Sequence, residues 1–303
     1  MLWPGLPSPG VAAGLETVGL VLAVLVGIGW RTRMTSTVWF VWALVANSAV
    51  FALGKVDHSF IVWCAVPLLA TAGWGDRISL DSRTEQPTRP TWPVGALSLL
   101  LAVGYLTAAI PKILSGWLDS STHAVEGFFR SEYVSLGRDE LLANLFWEIE
   151  SPIFWELLDL ATVGFELGVP LAVLHPKIFR GLLWVAALFH VSVLLIMNIP
   201  FTNMFFLYSA LVAGPRSAQR ARSVDIRFVI GAFSVAGASA LAGVPLLRVV
   251  ERAGWVPKAT VSLAVFSVLI AMMVWFARTA QRDLAISGVE VEEPPIVAAA
   301  VDS

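Results

Sequence analysis

Cys64 is the only cysteine among 303 residues, which excludes an internal disulfide framework and any thiolate metal cluster. It lies inside an apolar run, the setting of a packing residue. Charge is scarce as well. Only 14% of the residues are Asp, Glu, Lys or Arg, where a soluble domain carries roughly a quarter. The 20 basic and 22 acidic side chains leave a formal net charge of -2 and a pI near 6.1. Without a basic excess nothing draws the chain to a phosphate backbone, so no nucleic acid partner is expected. Also missing are a P-loop, a G-x-G-x-x-G turn, an H-E-x-x-H helix and a G-x-S-x-G elbow, and with them the common soluble chemistries. The four histidines, His58, His123, His175 and His190, stand without metal-ligand spacing, so no metal site is supported. No twofold internal repeat of the transporter kind is visible.

What the chain has is apolar length. It is 57% hydrophobic, with a mean hydropathy of +0.77, too apolar to stay dispersed in water. A membrane span needs about 20 such residues. Runs of this kind cover 11–30, 37–53, 59–74, 94–110, 152–174 and 178–197. Pro200 lacks an N–H and breaks the next run, so 201–212 is expected as a separate short segment; merging it with its predecessor gives eight spans instead of nine. Two more runs follow at 228–247 and 259–276. The expected fold class is therefore all-α, a polytopic transmembrane helical bundle of about nine spans with no separate soluble domain. The first run has no positive residue before it and no small-residue cleavage site after it, and is read as a retained span.

Charge placement supports an odd count. With the N-terminus outside, the inner loops hold 13 of the 20 Lys and Arg, the direction the positive-inside rule requires. Several tryptophans, among them Trp30, Trp74, Trp92 and Trp117, fall near the ends of runs, as an interfacial aromatic belt does. The stretch 115–151 mixes charges with aromatics and is expected in or just outside the interface. The tail after 277, rich in Glu and Pro, is expected to be disordered.

Ionisable groups at membrane depth are costly and face a cavity, a partner or a substrate path. Those within or at the ends of the runs are Glu16, Lys55, Asp57, His58, Lys112, Glu156, Asp159, Glu166 and His190, with the polar Asn198 beside them. Asp159, Thr162 and Glu166 recur at i, i+3 and i+7 and form one polar stripe, which must point inward. His190 sits mid-run. It is either a neutral imidazole bonded to a carboxylate or carbonyl or a functional group, and Glu166 is its expected partner. Lys112, after Pro111, is either a snorkelling lysine whose ammonium reaches the headgroups or a desolvated amine that acts as a base.

Several segments together resemble the HTTM family, the membrane domain shared with vitamin K-dependent gamma-carboxylase. They are Asp57-His58-Ser59, Ile78-Ser79-Leu80-Asp81, the run Tyr105 to Trp117 (YLTAAIPKILSGW), and Phe189-His190 with IMNIPFTNM ending at Met204. The resemblance covers 11–212, followed by a basic linker at 213–227, a C-terminal pair of helices at 228–277 and the tail at 278–303. It implies that Lys112 is a general base toward a reduced quinone and that His58 donates to a developing oxyanion. Tyr105, Trp117, Asp159, Glu166, His190 and Asn198 would then line the ligand site.

The chain departs from the carboxylase in two ways. Pro111 stands where the carboxylase has a second lysine, and its large extracytoplasmic domain has no counterpart here. The expectation is a multi-pass cell-membrane protein that binds a quinone-like or lipid ligand inside the bundle, as the similar DoxX-type membrane proteins do. A quinol-dependent carboxylase or oxygenase-like enzyme is one alternative, and a transporter or accessory subunit without catalysis is the other.

Overall fold

Gly29 sets the end of the first helix. Its φ of 68° is left-handed, which a glycine adopts without the Cβ penalty, and its N–H closes on Val26 O at 3.1 Å. In a computed structural model of the chain the described residues are 7–53, 58–76, 79–82 and 89–220, with Ser267, Ala271 and Val274 as isolated positions. Apart from these three, the spans expected at 228–247 and 259–276, the linker beyond Arg220 and the tail lie outside the described residues, as do Lys55, Asp57 and Ile78.

No strand occurs among the described residues. The helices are α1 (Pro9–Ile28), α2 (Thr32–Leu53), α3 (Ser59–Thr71), α4 (Trp92–Leu114), α5 (Ala124–Leu136), α6 (Ala143–Trp147), α7 (Pro152–Ala172), α8 (Pro176–Met197) and α9 (Thr202–Arg220). Three of them, α1, α4 and α8, are long and apolar enough to cross a membrane, while α3 and the stretch Thr202–Val212 are shorter apolar helices. At 13 residues, α3 rises only about 20 Å. α7 matches the longer helices in length but carries Glu156, Asp159 and Glu166.

The described residues fall in two compact units, 7–97 with 213–220, and 98–212 with the three isolated positions. In the first, α1 buries only Gly19. The Trp42 indole of α2 lies where a Cβ on Gly19 would be, and its Nε1 donates to Leu15 O at 3.0 Å. The α1–α2 turn is held from a distance. Asp81 accepts from Arg31 N, Thr32 N and Thr32 Oγ1 at 3.0, 2.5 and 3.0 Å, satisfying amides that the start of α2 leaves without an intrahelical partner. Leu80 N and Asp81 N donate back to Ile28 O and Gly29 O. Arg89 forms a two-pronged pair with Asp76 at 2.6 and 2.7 Å.

The second unit is built on inward stripes at helical spacing. Leu101, Tyr105 and Ala109 of α4 are buried, as are Trp155, Asp159, Thr162, Val163, Glu166 and Val169 of α7, and Leu183, Ala186, Ala187, His190 and Leu194 of α8. The amphipathic stretch becomes α5 and α6. They close over a core of Val125, Phe129, Ala143 and Trp155, flanked by Trp117, Tyr133 and Trp147. Phe129 stacks on Trp155 with ring centres 5.6 Å apart, and Tyr133 on Trp147 at 4.5 Å.

Two boundaries differ from the sequence reading, at the end of α4 and the end of α9, and the break between α8 and α9 falls where it was expected. α4 runs through Pro111 to Leu114, because a proline near a helix end removes only the bond to the carbonyl four residues back. Lys112 is thus inside the last turn. α8 and α9 are separate helices: Asn198 takes a left-handed φ of 52°, a helix-stopping conformation that asparagine tolerates, and Pro200 follows. α9 then continues to Arg220, so the first part of the stretch read as a linker is helical, in keeping with the helix propensity of its Arg, Ala and Gln residues.

Candidate functional site

The polar residues of the second unit gather along α4, α7, α8 and α9. Lys112, in the last turn of α4, directs Nζ at both oxygens of Glu166 on α7, at 2.5 and 2.6 Å. Side-chain exposure is 22% for the lysine and 7% for the glutamate, so water screens the pair only from the lysine side. After α4 the chain turns at Gly116, with φ 85°, and Trp117 N donates to Lys112 O at 3.1 Å. The Trp117 ring then lies 5.2 Å from Nζ, a cation–π contact on the face of the best aromatic partner for it. The spacing from Lys112 to Trp117 is therefore a local folding unit that fixes the ammonium.

Tyr105 stands on α4 two turns before Lys112. Its hydroxyl is 2.6 Å from that of Tyr208 on α9. Tyr208 Oη is in turn 3.2 Å from His190 Nδ1. The same nitrogen is 2.8 Å from Ala186 O. A carbonyl oxygen has only lone pairs, so Nδ1 carries a proton that it donates to Ala186 O. Around these groups lie aromatic rings: Tyr105 meets Phe165 edge-on at 5.2 Å, Phe165 meets Phe189 at 5.2 Å, and His190 meets Phe201 at 4.7 Å. The first and third of these are edge-to-face contacts, favourable at such spacings.

Not every candidate belongs to this group. Asp159, fully buried, accepts from Ala124 N and Val125 N at 2.8 and 2.7 Å. It caps the first turn of α5 from α7, and an anion there is favoured by the helix dipole. Asn198 ends α8, and its Nδ2 is 3.3 Å from Glu140 Oε2. These two hold elements together. His58 lies in the first unit, half-buried at the N-terminal end of α3.

Tyr208 was not among the sequence candidates. The signal for it was present: the chain has three tyrosines, and a phenol within the apolar run 201–212 must find a buried partner. Among the described residues no group of three or more His, Cys, Asp or Glu could hold a metal ion. Comparison of the chain with protein-family models, with curated proteins and with solved structures gives no match.

Proposed function

We propose that this chain is a multi-pass membrane protein of the HTTM type, with about nine spans, whose second unit binds a flat, apolar, quinone-like molecule beside Lys112. One observation carries the reading. A buried set of two phenols and an imidazole, walled by Phe165, Phe189 and Phe201, shares α4 with a charged pair. An apolar site with a few convergent polar groups is the usual form of a small-molecule site. Membrane placement is supported by the three long apolar helices and by exposed large apolar side chains such as Leu99, Val103 and Leu188 on two of them. In this reading α5 and α6 lie at the outer interface.

Lys112 anchors the ligand as a charged donor already held in place by Glu166. For it to act as a base, its proton must first pass to Glu166 or to another acceptor. Binding without turnover asks for no such transfer, and it is the function we put forward.

The test is to purify the protein in detergent, extract it with organic solvent and look for quinone by chromatography. Wild type is expected to retain quinone, and Lys112→Ala to lose most of it while Lys112→Arg keeps it. Equal retention in all three, or none in wild type, overturns the reading. The span count is tested separately by placing single cysteines in a Cys64→Ser background. Position 121 is expected to react from outside and position 82 from inside.

A further inference from the structure

α5 is amphipathic in the opposite sense to a helix that faces water. Its exposed residues are Gly127, Phe128, Ser131, Val134, Ser135 and Leu136, none of them charged, and Val134 and Leu136 reach 68% and 60% exposure. Its charged residues, Glu126, Arg130 and Glu132, are all half-buried. A helix on an aqueous surface turns its charges outward and its apolar side chains inward. Here each charge has a partner at hand. Arg130 Nε donates to Glu126 Oε1 at 2.8 Å, and its guanidinium lies 4.8 Å from the Trp147 ring. Glu132 pairs with Arg138 at 2.6 Å. α6 has no charged residue, and its Leu145 is exposed.

The remaining charge is in the turns. The stretch 115–151 holds seven carboxylates and two arginines. The carboxylates that are not on α5, Asp119, Asp139, Glu140, Glu148 and Glu150, stand before α5, between α5 and α6, and after α6. All but Glu140 are exposed. Charged turns joined to uncharged outward helix faces mark a segment whose turns reach water and whose helices do not.

We infer that the outward faces of α5 and α6 are a lipid contact, with Phe128, Val134, Leu136 and Leu145 inserted among acyl chains and the acidic turns left in water. This rests on the membrane reading above and sets the depth of the two helices within it. The occupant is lipid because the same kind of surface continues onto the helices around them. α5 packs against α7, where Ile153, Leu157 and Leu160 are exposed at i, i+4 and i+7, and Leu99, Val103 and Ile110 are exposed along α4. One apolar solvent then serves every outward face of this unit. The acidic turns also decide the force. A basic amphipathic helix is drawn to anionic headgroups, whereas these turns are repelled by them, so burial of apolar area alone holds α5 and α6 in place.

The experiment uses the full-length protein in phosphatidylcholine nanodiscs, with single cysteines on a Cys64→Ser background carrying a bimane label. Phe128→Cys and Val134→Cys report on α5, Val103→Cys on α4 and Asp139→Cys on a turn. With lipid brominated on its acyl chains, labels at 128, 134 and 103 are expected to lose most of their fluorescence and the label at 139 little. Before labelling, 139 is expected to react with a charged maleimide, and 128 and 134 not to. Adding phosphatidylglycerol is expected not to raise quenching at 128 and 134; a rise that salt reverses overturns apolar burial as the force. Quenching at 103 without quenching at 128 and 134 overturns the insertion and leaves the membrane reading standing. In that case reaction with maleimide places the α5 face in water, and protection from both reagents places it under a protein partner. No quenching at 103 overturns the membrane reading itself.

Discussion

Glu166 on α7 takes the ammonium of Lys112 on α4 between its two carboxylate oxygens, at 2.5 and 2.6 Å. Each side chain supplies the partner that makes burial of the other tolerable. Removing one leaves a partly buried charge alone, whereas removing both leaves none.

Glu166→Gln is therefore expected to destabilise the second unit by about 3 kcal/mol, and Lys112→Met with Glu166→Leu together to recover most of that loss. Thermal melting of the purified protein in detergent checks the comparison. A double variant less stable than Glu166→Gln would show that the pair does more than neutralise itself.

Asp159 offers a different test, since both its oxygens are taken by the amides of Ala124 and Val125. Asp159→Ala leaves two N–H groups without their acceptor and is expected to cost about 2 kcal/mol. Hydrogen exchange should speed up in the first turn of α5 while the middle of α8 is unchanged. Unaltered exchange at 124–128 would remove the capping role.

Asp81 performs the same task for α2, through Arg31 N, Thr32 N and Thr32 Oγ1. Asp81→Ala is expected to lower stability by about 1–2 kcal/mol, with Asp81→Asn giving back part of it through its remaining acceptor oxygen. Melting curves of the two variants decide, and equal losses would count against the capping geometry.

Gly19 sits where the Trp42 indole presses on α1. Ordinarily Gly→Ala in a helix stabilises it. Here the added methyl must displace the indole, so Gly19→Ala is expected to cost about 1–3 kcal/mol, the range for overpacking. The smaller ring of Trp42→Phe should suppress that cost in the double variant. Stabilisation by Gly19→Ala alone would mean that the two helices are not in this register.

Much of this was legible in the chain. Among the described residues, apolar runs of helical length became helices, Pro200 fell in the break between α8 and α9, and the i, i+3, i+7 stripe of Asp159, Thr162 and Glu166 lies buried on one face of α7. These features depend on neighbours within a few residues, where the 3.6-residue period acts. Asn198 was also readable as a helix stop, since asparagine is one of the few residues that tolerate the left-handed backbone at a C-terminus.

The roles of the polar groups were not legible in the same way. Asp159 and Glu166 are two turns apart on one helix and look alike in sequence, yet one caps a helix that begins 35 residues earlier and the other pairs with a lysine 54 residues earlier. Tyr105 and Tyr208 are 103 residues apart. By itself the sequence determined an all-helical chain with few charges, and which faces of its helices turn inward, because hydrophobic periodicity is a local property. Only the tertiary structure decided which buried charge met which partner, because a polar group in an apolar interior must be satisfied by whatever donor or acceptor the packing of distant helices brings within about 3 Å.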